Sequence, residues 1–143
     1  MKGMEIYQRV YRAKQTTIAA FHEAGGTITL GTDHVSNGNH LPGFGVHREL
    51  DALVRNGIPE ADALRIATIN GARALKIDKD HGSIEIGKVA DLVIIKGNPI
   101  DRIRNTRNVQ TVVRAGKVYD SAELLSKVKG KLGPASKGEE SSW

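Results

Sequence analysis

The sequence contains no cysteine. That absence excludes a disulfide framework, a thiolate zinc site and a cysteine nucleophile. Aromatic residues make up 4% of the chain, so stacking platforms for bases have little to be built from. No apolar run approaches the roughly 18–20 residues that a membrane span requires, and no secretory signal pattern is found. The expectation from these absences is a cytoplasmic protein with no membrane partner. There is no internal repeat. At 143 residues the chain can bury one real core. It is too short for a complete eight-stranded barrel, which takes about 250 residues.

What is present begins with charge. The formal net charge is +5. Most of it gathers between Asp101 and Lys117, where Arg102, Arg104, Arg107, Arg114 and Lys117 face one acid. No aromatic interleaves with them and no recognition motif surrounds them. A solvated loop face is the expectation, with no nucleic-acid partner.

The most informative stretch is Thr27-Ile28-Thr29-Leu30-Gly31-Thr32-Asp33. It reads as a short buried strand, entered from the Gly25-Gly26 break and ending in a carboxylate. Such an acid is costly to desolvate unless it is paired, hydrogen-bonded or metal-bound. That end of a strand is where α/β folds build active sites.

The rest of the chain organises around it. Met4, Tyr7, Val10, Tyr11, Ile18 and Phe21 recur at helical spacing, which predicts an amphipathic helix over 4–24. Residues 34–45 form a polar, Gly- and Asn-rich loop with two histidines. Val46, Leu50, Leu53, Val54 and Ile58 make a second helical stripe, stopped at Asn56-Gly57. Pro59 suits the first position of another helix, which carries on to about Ile77. Asn70-Gly71 lies inside it, and a glycine in mid-helix implies close packing there. Strands are then expected at 83–86 and, fully buried, at 91–95. Asp91 is expected to fix the turn at Gly87-Lys88. A hairpin follows around Ala115-Gly116-Lys117, then a short helix at 122–128 and a disordered tail. Gly87-Lys88 lacks the glycine spacing and following helix of a phosphate loop.

The ordered set of segments is more specific than any one of them. It runs from Gly31-Thr32-Asp33 through Val46-His47-Arg48-Glu49-Leu50 and Ala67-Thr68-Ile69-Asn70-Gly71-Ala72-Arg73-Ala74-Leu75. It continues through Gly82-Ser83-Ile84-Glu85-Ile86-Gly87-Lys88-Val89-Ala90-Asp91-Leu92-Val93-Ile94-Ile95 and Asn105-Thr106-Arg107 to Val113-Arg114-Ala115-Gly116-Lys117-Val118-Tyr119. From about residue 28 to 119 this resembles the C-terminal part of the amidohydrolase superfamily, in its imidazolonepropionase-like and related branches. The resemblance implies an α/β fold: the C-terminal fragment of a (β/α)8 TIM-like barrel followed by strands of a small β-sandwich. Residues 1–80 would hold the last barrel helix, the last strand and the closing helices. Residues 81–120 would be sandwich strands, and 121–143 a helix and tail.

The resemblance also implies chemistry. Asp33 matches the aspartate that ends the eighth strand, binds a divalent metal (zinc by expectation) and handles the proton of the hydrolytic water. His34 and His40 are candidates for contact with a small-molecule amide substrate. The family's His-x-His pair is absent from this sequence, as are its middle-strand Lys or Glu and later histidines. A catalytic zinc usually needs three protein ligands. No metal is therefore expected to bind tightly to this chain alone. The reading is part of an enzyme that hydrolyses C–N bonds, cut from a longer frame and inactive in isolation. Its partner would be the missing N-terminal barrel segment or a second copy. The alternative is a non-enzymatic, partner-binding fragment. His47 is expected to be a surface or packing residue, and His22 and His81 structural or solvated.

Overall fold

A computed structural model describes residues 2–32 and 43–129. Helix α1 spans Lys2–Glu23. It is followed by α2, Phe44–Arg55, by α3, Glu60–Ala67, and by α4, Ile69–Ala74. A three-stranded sheet then forms from β1, Leu92–Ile95, β2, Val109–Arg114, and β3, Lys117–Asp120. A 3₁₀ turn at Ile103–Arg107 joins β1 to β2. Helix α5, Ser121–Val128, closes the described chain, its first turn capped by Asp120 accepting from the Glu123 N–H at 2.9 Å. The architecture is α/β.

The sheet is an antiparallel meander in the order β1-β2-β3. Leu92 pairs with Val113 and Val113 with Val118, while Val93 pairs with Val112 and Val112 with Tyr119. Cross-strand partners share a face, so both faces are apolar. The two-residue turn Ala115-Gly116 has φ of 48° and 78°. That left-handed pair matches the twist of the strands it joins. Asp91 fixes this turn rather than the one at Gly87: its Oδ1 accepts from the Ala115 N–H at 2.7 Å.

Leu50, Ile58, Ala63, Ile66 and Ile103 form the core, with Ile28, Leu30, Leu53 and Val54 packed against it. Leu50, Leu53 and Val54 of the helical stripe read from the sequence face inward on α2, whereas Val46 at its start is exposed. Two basic residues of the stretch expected to be a solvated face instead tie the 3₁₀ turn to α2. Arg104 donates from Nε and Nη2 to the two carboxylate oxygens of Asp51, at 2.8 and 3.2 Å. The Arg107 guanidinium lies 5.0 Å from the centre of the Phe44 ring. Arg104 holds the Asp51 carboxyl below its ordinary range.

Several elements differ from expectation. Residues 27–32 have no strand partner among the described residues. A strand is defined by its neighbour's ladder, and hydrophobic alternation alone cannot supply one. Pro59 is the N-cap of α3 rather than its first helical residue, at φ −57° and ψ 146°. The long helix to Ile77 is broken at Thr68, whose ψ is −93°. There the Thr68 hydroxyl donates to the Leu64 carbonyl at 2.7 Å, a back-bond that bends helices. Gly71 has open space around the position of a Cβ, so close packing is not its reason. Residues 83–86 form no strand; Ile84 and Ile86 are fully exposed. Strand β1 is likewise half exposed at Val93 and Ile94, and α1 exposes Val10, Tyr11 and Phe21. Their apolar faces have no cover among the described residues. The tail expected to be disordered lies outside the described residues from Gly130 onward.

Candidate active site

Asp33, His34 and His40 all lie outside the described residues. What the structure describes is the segment that leads to Asp33 and the elements that hold it. Helix α1 ends in a double glycine. The Gly26 N–H donates to the Phe21 carbonyl at 2.8 Å and the Gly25 N–H to the His22 carbonyl at 2.9 Å. Gly25 sits at φ 80°. This pair of bonds is a Schellman ending, which turns the chain sharply out of the helix. His22 then links α1 to α3 through Asp62, Nε2 to Oδ2 at 3.4 Å.

Residues 27–32 follow with strict alternation. Thr27, Thr29 and Gly31 are exposed; Ile28, Leu30 and Thr32 are half-buried. Ile28 and Leu30 face the core made by α2 and α3. The period is two, as in a strand. One polar contact joins this segment to α4: the Asn70 side-chain amide donates from Nδ2 to the Ile28 carbonyl at 3.0 Å. In the sequence Asn70 stood within a family-like motif and as half of a turn-like pair, with no role assigned to it. The signal available was its place four residues after buried Ile66, where an amide on an apolar stripe needs a partner.

A cavity of about 630 Å³ opens beside the start of the segment, lined by His22, Asp62, Arg65, Asn70, Arg73 and Lys88 among others. Ile28 touches it, and Asp33 is five residues further on. The four residue steps from Ile28 to Thr32 cover about 13 Å when extended, so this cavity lies at the start of the described segment. Lys88 is committed within its lining: Nζ donates to the Asp78 carbonyl at 2.7 Å and to Ser83 Oγ at 2.6 Å. Among the described residues, no three His, Asp or Glu side chains gather closely enough to hold a metal ion.

His47 opens the far side of the loop, in the first turns of α2. It is a packing residue with a defined tautomer. The buried Thr106 hydroxyl gives its one proton to the Ile103 carbonyl at 2.8 Å. It must therefore accept from His47 Nδ1, 3.0 Å away. Burial, and then the Arg107 charge, hold the His47 pKa below the ordinary imidazole value. The unfolded chain takes up this proton first as pH falls. Stability from the neutral ring is thus complete above about pH 6.5 and is lost as pH drops through the lower folded value. Urea midpoints at pH 7 and pH 5 should differ more in the parent than in His47→Gln. Equal differences in the two proteins overturn this assignment. His81 stands 3.8 Å from Asp91, Nδ1 to Oδ2, in a solvated pair.

Comparison with known proteins adds the family. The model of the amidohydrolase family matches residues 8–119. A 5-methylthioadenosine/S-adenosylhomocysteine deaminase of Thermoanaerobacter pseudethanolicus is 38% identical over 66% of this chain and 24% of its own length. An imidazolonepropionase of Shouchella clausii is 35% identical over 76% of this chain and 25% of its own. Among solved structures, a Xaa-Pro dipeptidase with methionine bound in its active site superimposes with a TM-score of 0.67. It is 37% identical, over 75% of this chain and 25% of that one. The chain thus spans about a quarter of the length of these relatives. On the match that runs from residue 8 to residue 119, the chain belongs to the amidohydrolase family.

Proposed function

We propose that this chain supplies the last helix, the last strand and the closing helices of a metal-dependent amidohydrolase barrel, together with strands of its sandwich. The complete protein hydrolyses a C–N bond of a small molecule: a cyclic amide, a dipeptide or a related amide or amidine. The observation that carries this reading is the family match over 8–119. The alternation at 27–32 supports it. Thr29 and Gly31 form the face of this segment turned away from α2 and α3, and Asp33 follows the segment in sequence. In a closed barrel that face is the interior.

Asp33 is the proton carrier in this reading. Its carboxylate takes a proton from the attacking water and passes it to the leaving nitrogen. His34 and His40 are the proposed substrate contacts. The described residues do not form a metal site, so a metal takes its ligands from Asp33 and from donors outside the described residues. One carboxylate is too few for a tight catalytic site. Purified chain with added zinc is accordingly expected to hydrolyse no amide above background. Zinc-dependent turnover by that material overturns the expectation.

The direct test is a chimera. Residues 8–119 replace the matching segment of the Thermoanaerobacter deaminase, which supplies the remainder of its own fold. A soluble chimera that deaminates, and loses that activity with Asp33→Asn, supports the proposal. A soluble chimera whose rate is indifferent to Asp33→Asn sinks it.

A second reading draws on the exposed apolar side chains of the sheet, Val93 at 58%, Ile94 at 52% and Val118 at 66% exposed. Surfaces of this kind mark interaction sites, which suits a partner-binding fragment. A monodisperse monomer with a cooperative melt counts against it.

A further inference from the structure

The geometry points to Asn70 as a positioning residue that sets the register of the Asp33-bearing segment. The inference rests on the catalytic reading of Asp33, but its structural basis is separate. The backbone carbonyl of Ile28 lies along the edge of an extended segment, where a neighbouring strand would offer an N–H. Asn70 Nδ2 occupies that acceptor at 3.0 Å. A side chain therefore holds this edge at one residue.

Register matters here because the period is two. A slip of one residue moves every side chain to the other face. Ile28 and Leu30 would leave the core, and the opposite face of the segment that leads to Asp33 would turn toward the helices. Apolar packing alone resists a slip of one residue. The hydrogen bond from Asn70 adds to that resistance, because a slip of one residue turns the carbonyl at this place to the opposite edge and breaks the bond.

Asn70 is itself well anchored. Helix α4 is separated from α3 by the break at Thr68, which frees it to take its own direction. Gly82 packs directly on Ile69 and Ala72 of α4. Ala72 is buried, and its carbonyl accepts from the Ile77 N–H at 2.9 Å. The amide is thus presented from a helix clamped between the Gly82 backbone and residues 27–32.

The absence of cysteine makes the test clean, since each introduced thiol is the only one. Thr29→Cys and Leu30→Cys are made in the full chain and reacted with a maleimide. With Asn70 in place, Cys at 29 should react about tenfold faster than at 30. In Asn70→Ala, and in the isosteric Asn70→Asp that lacks the donor, this ratio should fall to about twofold or invert. A third reporter, Ile58→Cys in the core, should stay protected in both variants. An unchanged 29:30 ratio overturns the inference. Loss of protection at 58 in both variants also overturns it, because Asn70 would then be a general stability contact. These readouts need no catalysis, so they stand apart from the Asp33→Asn result in the chimera.

Discussion

Asp33→Asn in the chimera with the Thermoanaerobacter deaminase is expected to lower kcat by about 10²–10⁴, with KM changed much less. Asparagine keeps the size and planarity of the side chain and much of its hydrogen bonding. It cannot take a proton from water near neutral pH, nor return one to a leaving nitrogen. The loss corresponds to roughly 3–5 kcal/mol of transition-state stabilisation. Most of it should appear in kcat, because the proton moves only as the transition state is reached. The pH profile adds a second reading. The acidic limb of kcat/KM reports the free enzyme's essential base, and removing the carboxylate should displace or abolish that limb. A kcat within threefold of the parent, with an unchanged acidic limb, rules Asp33 out as the proton carrier.

Gly82→Ala should be the most damaging small substitution in the described structure. Gly82 sits at φ 91°, in the left-handed region. A Cβ there would lie 2.6 Å from the Ala72 Cβ and 3.0 Å from the Ile69 Cα. The first of these is a buried methyl and the second is backbone, so neither can swing aside. The left-handed conformation costs a non-glycine residue about 1–2 kcal/mol, and overpacking adds about 1–3 kcal/mol. A loss of about 2–5 kcal/mol is expected, a large share of the 5–15 kcal/mol typical of a folded domain. Gly71→Ala is the internal control. Its Cβ would meet nothing within 4 Å, and its φ is not positive. It should raise stability by about 0.4–1 kcal/mol. Urea midpoints of the two variants should therefore move in opposite directions. Parallel shifts would mean that the contact of Gly82 with α4 is not what makes glycine necessary there.

These two predictions draw on different kinds of legibility. Asp33 could be singled out from the sequence because a strand-like run ended in an acid and the following motifs stood in family order. Its surroundings could not. Asn70 and Thr106 stood in family-like segments with no role assigned, and Asp51 drew no notice. Each acquires its role from a partner far along the chain. Asn70 bonds Ile28, Thr106 bonds His47, and Asp51 bonds Arg104. The same distance explains why Arg104 and Arg107 read as a solvated face although both bind back to α2.

The sequence by itself determined what depends on neighbouring residues. It set helical periods for α1 and α2, the glycine ending of α1, the hairpin at Ala115-Gly116 and the capped start of α5. It also carried the order of motifs that marks the family. These are matters of backbone dihedral preference and of spacing within a few residues. Only the tertiary structure decided which apolar faces find a cover. The stripe of α2 is buried because α3 and the 3₁₀ turn meet it, whereas the equally periodic faces of α1 and β1 stay exposed. It also decided that 27–32 keeps the alternation of a strand with no ladder among the described residues. Alternation is written into one segment, but a sheet is a relation between two.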